Sequence, residues 1–202
     1  MGVILGHVRE LLINVLFLIF PLFIYKVLWV DRGKLESQWN KVVFTFIAMI
    51  AAFLCMSYPV EFFPGFFFDL RQISLILAAL YGGHWVSAWL YIGVFPYRFL
   101  LGGDGVYISF ITVTLIFLIL PFLSPWYSKL TMVQKMITAV SFSVIFSSMT
   151  ASLSEMFTAT YLTEMIFQFV LVQALGILLI TYFIEFIRKR TEVGDGGQSF
   201  KT

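Results

Sequence analysis

The chain is written in long apolar runs broken by short polar clusters, with almost no alternation between the two. A helix that crosses lipid needs about 20 mostly apolar residues. The first run that qualifies is Leu11 to Val30, with Lys26 near its end and Pro21 as a point of bending. A charged loop follows, with Asp31, Arg32, Lys34 and Glu36, and then a second run from Val42 to Tyr58. Pro59 to Gly65 reads as a short loop. Further runs cover Tyr107 to Leu123, Met136 to Ser152 and Leu162 to Ile187, with loops at Ser124 to Lys135 and around Glu155. The pattern predicts an all-α fold, a polytopic transmembrane helical bundle of six to seven helices. Residues 1–190 form the membrane domain, and 191–202 are expected to be a disordered cytoplasmic tail.

The stretch from Phe66 to Leu101 is too long for one crossing and short for two. Gly82-Gly83 lies near its middle, and paired glycines favour a turn or a very close contact. We read a helical hairpin: Phe66 to Tyr81, a turn at Gly82-Gly83, then His84 to Leu101 with a bend at Pro96. Charge bears on this choice, because Lys and Arg accumulate on the cytoplasmic side of membrane proteins. With the hairpin and the N-terminus outside, Lys26, Arg32, Lys34, Lys41, Lys129, Lys135, Arg188, Lys189, Arg190 and Lys201 are cytoplasmic. Only Arg9, Arg71 and Arg98 are outside, a division of ten to three. A single crossing gives eight to five at best. The hairpin also puts Glu10, Glu61, Asp69, Asp104, Glu155 and Glu164 outside.

Composition agrees with a lipid environment. Hydrophobic residues make up 60% of the 202 and charged ones only 12%, more apolar surface than a soluble domain of this size can hide. The aromatics, Phe66 to Phe68 among them, fit an interfacial belt. Cys55 is the one cysteine, so no intrachain disulfide and no Cys/His metal cluster is expected. The N-terminal run lacks a small-residue cleavage site and reads as an uncleaved span. No phosphate loop, HExxH or nucleophile–base set is present, and no cofactor or enzymatic activity is expected. Arg188-Lys189-Arg190 reads as a flank that stops the last span, with no nucleic-acid partner implied.

The candidate site comes from charge at membrane depth. In the hairpin, Asp69, Arg71 and Arg98 share the outer end. A charge there costs about 2.5–3.5 kcal/mol on insertion scales, so it pairs or faces a cavity. On a helix, residues two apart point in nearly opposite directions. Asp69 with Arg98 is then the simplest pair, leaving Arg71 to face a pocket, and the swapped assignment is also open. The functional reading is an extracytoplasmic pocket for a small anionic ligand held by a guanidinium fork. The alternative is an ion pair that fixes hairpin register. Glu164, Gln168 and Gln173 lie along the last span; Glu164 and Gln168 share a face and are candidate pocket residues, with hydrogen bonding to neighbouring helices as the equal alternative. Ser141, Ser143, Ser147, Ser148 and Thr150 read as helix contacts, and His84 as an interfacial polar residue or a proton sensor.

With these residues in place, the middle of the chain resembles a known family. Phe68-Asp69-Leu70-Arg71, Leu80-Tyr81-Gly82-Gly83 and Tyr97-Arg98 with Gly102-Gly103 are similar to the membrane receptor domain of the LytS-YhcK type, a five-transmembrane sensor. Phe20-Pro21-Leu22-Phe23 is similar to sporulation-type sensor kinases. The resemblance implies a bacterial cell-membrane signal-sensing input domain, usually dimeric, set before a cytoplasmic histidine kinase or diguanylate cyclase. Asp69, Arg71, Gly82, Gly83, Arg98, Gly102 and Gly103 occupy the family's motif positions, the charged ones being the candidate ligand residues and the glycines structural ones. No phosphoacceptor His motif or GGDEF follows Arg190, so the expected partners are the bilayer, a small ligand, and an output module or partner kinase. A substrate-binding subunit of a transporter is the rival reading, since it would use a similar pocket.

Overall fold

The structure is a computed structural model that describes Arg9, 13–21, Phe23, 38–63, 66–103, 105–158 and 163–198. Side chains of 60–68, 154–166, 168 and 190–198 are outside that description, as are the charged loop around Asp31, Arg32, Lys34 and Glu36, and Asp104. The elements are α1 (13–21), α2 (Gln38–Ser57), β1 (Val60–Phe63), β2 (Phe66–Phe68), α3 (Arg71–Leu101), α4 (Val106–Ser128), α5 (Met132–Thr158) and α6 (Thr163–Gln198). Among the described residues, five helices contain a stretch long and apolar enough to cross a membrane: Trp39–Ser57, Arg71–Leu101, Val106–Ser128, Met132–Leu153 and Phe169–Lys189. The protein is a multi-pass membrane helical bundle.

The centre of the bundle is α3, and it folds back on itself. Gly83 has φ 65° and ψ −158°, a region of backbone space that is essentially glycine's alone. It divides α3 into arm α3a (71–82) and arm α3b (84–101). Contacts with α2 show the reversal. On α3a, Ser74 donates to the Ala48 carbonyl at 2.8 Å. On α3b, Gly93 packs on Met49, and further along Tyr97 meets Phe53 in a tilted ring contact with centroids 4.6 Å apart. Its hydroxyl is 2.8 Å from that of Ser57. Climbing α2 therefore means descending α3a and ascending α3b. In a straight helix the 27 residues from Arg71 to Arg98 would span roughly 40 Å, yet the two line one cavity. The hairpin expected around Gly82-Gly83 is present.

The two arms differ in surroundings. Every residue from Arg71 to Leu80 is buried, so α3a is a short helix enclosed on all sides, which suits its nearly continuous apolar sequence. Arm α3b buries one face, with Val86, Leu90, Val94 and Arg98 at intervals of four. Its other face presents Trp85, Trp89, Ile92 and Phe99 outward, as a lipid-facing helix does.

Several boundaries move from the sequence reading. The first arm begins at Arg71 and not Phe66, because Phe66–Phe68 pairs antiparallel with Val60–Phe63 in a two-stranded ribbon where a loop was expected. Three successive Phe residues favour a strand. Helix α4 runs through Pro121 and Pro125 to Ser128, since kinking prolines are tolerated within a membrane bundle. The turn after it is short, and α5 starts at Met132. Thr131 accepts from the Gln134 N–H at 3.5 Å while the Thr131 N–H donates to Gln134 Oε1 at 3.0 Å, a capping box. Helix α5 continues past Glu155 to Thr158. Helix α6 continues through Arg188 to Gln198, so the segment from Thr191 is helical to that residue where no regular structure was expected. Strong helix formers such as Arg, Lys and Glu extend the helix beyond its apolar stretch.

Candidate functional site

Asp69 sits between β2 and the first turn of α3, outside the helix. From there its Oδ1 accepts the Arg71 backbone N–H at 3.0 Å, satisfying a donor that the helix start leaves open. A carboxylate at that position also complements the positive end of the helix dipole. Its Oδ2 lies 3.3 Å from Arg71 Nη1. The Asp69–Arg98 pair preferred from sequence is therefore replaced by Asp69 with Arg71. The geometric objection to a pair two residues apart holds only when both residues are helical, and Asp69 is not.

Arg71 reaches across to α4, where Nη2 donates to Ser109 Oγ. Arg71 Nη1 has no hydrogen-bond acceptor despite its nearness to Asp69. Arg98 comes from the far end of α3b. Its Nη1 donates to the Gly102 carbonyl at 2.7 Å, at the end of its own helix, where a cation is favourable. Its Nε is buried without a partner. The residue is 6% exposed, and among the described residues no carboxylate lies within ion-pair distance of it. Gly102 and Gly103 take φ of 68° and 92° in the loop that follows, which lets the chain turn into α4.

Arg71, Arg98 and Ser109 line one cavity together with Phe95, Phe99 and Phe110. It offers about 10 Å³, the space of roughly one water molecule. The cationic groups that line it are Arg71 and Arg98, and Asp69 bears on it only through its 3.3 Å contact with Arg71 Nη1. The arrangement can hold an anion through donors supplied from three stretches of chain, between aromatic walls.

Behind the cavity a buried polar chain runs across the bundle. Gln72 donates to Thr150 Oγ1 on α5 at 2.8 Å, and Gln173 on α6 donates to Gln72 Oε1 at 2.8 Å. Thr112 on α4 lies 3.2 Å from Thr150 through their hydroxyls. The α6 residue seen reaching the centre is thus Gln173. Glu164 and Gln168 have helical backbone in α6, and their side chains lie outside the described residues. Sequence reasoning passed over Ser109 and Thr112. Their spacing of three, in an apolar span, was the available signal, since it puts both on one helix face.

The remaining candidates stand apart from this site. Gly82 and Gly83 form the reversal at the opposite end of α3a. His84 is exposed there, its ring 4.5 Å from that of Phe122. On α5, Ser141, Ser147 and Thr150 donate to carbonyls one turn back in their own helix. Cys55 is a buried free thiol.

Comparison with curated proteins and with solved structures gives no match. Comparison with protein families does: residues 22–187 match the family described as the 5TMR of 5TMR-LYT, a span that includes α2, both arms of α3, the Arg71–Arg98 cavity, α4, α5 and most of α6. The chain belongs to that family of five-transmembrane receptor domains, and is a membrane-embedded sensory input domain.

Proposed function

We propose that the cavity lined by Arg71, Arg98 and Ser109, with Asp69 paired to Arg71, receives a small anion from the extracytoplasmic side, and that its occupation moves α3a against α6. The single observation that carries this reading is Arg98. It is a buried guanidinium with an unpartnered Nε and no carboxylate at ion-pair distance among the described residues. A charge left so within a membrane bundle faces a ligand or a water-filled path. A carboxylate or phosphate would accept charge-assisted hydrogen bonds from the open donors, Arg98 Nε and Arg71 Nη1.

The size of the cavity supports the coupling. Any anion larger than water has to part the walls given by α3b and α4. Its binding energy is then tied to a rearrangement of the hairpin, the condition for a ligand to shift a conformational equilibrium. The buried polar chain from Gln72 to Gln173 gives α3a a direct hold on the last helix. In this reading α6 leaves the membrane on the cytoplasmic side and passes the change to a histidine kinase or diguanylate cyclase output, in a homodimer. The ten-to-three division of Lys and Arg supports that orientation.

The test is thermal unfolding of the purified protein in nanodiscs against a panel of small carboxylates and inorganic phosphate. A ligand at 100 times its Kd stabilises the folded state by about 2.7 kcal/mol. One or more anions should raise the transition in the parent protein, and Arg71→Ala and Arg98→Ala should remove that response while inserting normally. Equal responses in all three proteins overturn the site. Anion flux across protein-containing liposomes would overturn the sensor reading in favour of a transport subunit.

A further inference from the structure

The end of α3a opposite the cavity carries a second buried polar cluster. Glu185 Oε1, on α6, is approached from three directions. The Tyr81 hydroxyl on α3a donates to it at 2.8 Å, Lys135 Nζ on α5 at 3.1 Å, and Arg188 Nη1 lies at 3.6 Å one turn along α6. Lys135 and Glu185 side chains are only 5% and 11% exposed. The aromatic groups close the cluster. Tyr81 meets Tyr127 of α4 edge-on with centroids 5.1 Å apart, and Lys135 Nζ stands 6.0 Å above the Tyr81 ring. The Tyr127 hydroxyl donates to the Lys135 carbonyl at 3.3 Å.

Tyr81 directly precedes the Gly82-Gly83 reversal, so this hydroxyl is the last polar group of the buried arm before the chain turns back. Arm α3a and α6 run in the same direction and are joined by hydrogen bonds at two heights. Gln72 meets Gln173 four residues into the stretch Phe169–Lys189, and Tyr81 meets Glu185 four residues before its end. Each contact therefore lies about 6 Å inside the corresponding end of that stretch. A rigid arm tied at both heights transmits a displacement only if one tie can release. The Gln72–Gln173 contact sits among neutral groups at the core. The Tyr81–Glu185 contact has a built-in alternative, because when the hydroxyl leaves, Lys135 and Arg188 still compensate the carboxylate.

We propose that Glu185 is a latch: Tyr81 on its carboxylate holds the hairpin to the emerging part of α6, and withdrawal of α3a releases that part from the bundle. Lys135 stays paired with Glu185 in both states, which lets the latch open and close without exposing a bare charge. The inference rests on the sensory reading for its purpose, but the device itself is defined by the Glu185 cluster alone.

Its test therefore uses no anion. Spin labels on His84→Cys and Lys189→Cys, both exposed positions, are introduced in a Cys55→Ala background, and their separation is measured in nanodiscs by pulsed dipolar spectroscopy. The parent protein should give one narrow distance distribution. Tyr81→Phe, which loses one hydroxyl and keeps the ring packing, should add a second, longer population. Lys135→Met with Glu185→Met, which leaves no bare charge behind, should make the longer population dominant. An unchanged distribution in Tyr81→Phe overturns the latch, whatever the paired variant does. If anion stabilisation is intact in that case, the cavity reading stands without the latch. A shifted distribution in a protein that responds to no anion keeps the latch and removes the cavity reading.

Discussion

Arm α3a ends in a cluster of buried charge on each side, and the two clusters are balanced differently. At the Glu185 end the buried pair, Lys135 with Glu185, is neutral, and the third charge, Arg188, has a side chain 33% exposed and so reaches toward solvent. At the Arg98 end the buried pair is Asp69 with Arg71, and the third charge stays inside at 6% exposure. One end is internally satisfied and the other carries a surplus guanidinium. Buried ion pairs contribute little net stability against an apolar replacement, but removing one partner is costly. Removing a surplus charge should do the opposite. The sign of a stability change thus distinguishes a structural cluster from a binding one.

The largest effect is expected at the satisfied end. Glu185→Met leaves Lys135 buried without a partner, and should destabilise the protein by about 3–5 kcal/mol. Adding Lys135→Met should recover most of the loss, leaving about 1 kcal/mol for the Tyr81 hydroxyl that has lost its acceptor. Unfolding in mixed micelles against denaturant reads both numbers. A Glu185→Met loss below 1 kcal/mol would mean that the pair is solvated and that the two ends are alike.

The opposite sign is expected at the other end. Arg98→Met removes a charge whose burial costs up to about 2.5–3.5 kcal/mol and keeps the length of the side chain. Its unfolding transition should rise in the absence of added anion, by no more than that amount, while any stabilisation by anions disappears. A fall in stability would show that Arg98 is paired, with Asp104 in the adjoining loop as the nearest carboxylate in sequence, and would move the site into the structural class.

How much of this contrast could be read from sequence differs between the ends. The charges at membrane depth were legible one by one, since Asp69, Arg71 and Arg98 interrupt apolar runs. The Gly82-Gly83 reversal was legible too, because only a turn gathers the positive charges on one side. The pairing was not. It depends on where α3 starts, and a strand formed by Phe66–Phe68 is invisible to a count of apolar residues. Lys135 and Glu185 were hidden for another reason. They lie near span ends, where charge is ordinary, and their burial arises from packing of Tyr81 and Tyr127 that no local pattern encodes. The capping box at Thr131 and Gln134 was readable, and it would have shortened the loop before α5.

The reversal between the ends gives the next effect. Gly83→Ala forces a side chain into a backbone conformation that costs of order 1–3 kcal/mol, although the nearest atom to the new methyl, Ser124 Oγ, leaves it room at 3.5 Å. Gly82→Ala fails for a different reason: its methyl would fall 2.4 Å from Val86 Cβ, a position on a β-branched side chain that cannot swing away. Measured by the same unfolding transition, both should be destabilised, and only Gly82→Ala should cost less in a Val86→Gly background, since alanine at 86 would keep the clashing Cβ. Relief of both would mean that space, and not backbone conformation, selects glycine at position 83.

The smallest effect tests what joins the two ends. Gln72 and Gln173 meet at the core, where a hydrogen bond between membrane helices averages about 0.6 kcal/mol in double-mutant cycles. Gln72→Leu, Gln173→Leu and the double variant should show a coupling of that order in stability, because each Gln in the single variants finds a substitute partner in the nearby hydroxyls of Thr150 and Thr112. The same cycle, read on the distance between labels at positions 84 and 189, is more telling. If α3a moves as a rigid arm, loosening it at Gln72 changes how often Tyr81 leaves Glu185, and the label distribution shifts although 9 residues separate Gln72 from Tyr81. A coupling present in stability and absent from the label distance would mean that the arm bends between its two contacts. The cavity and the Glu185 cluster would then be independent sites that share a helix.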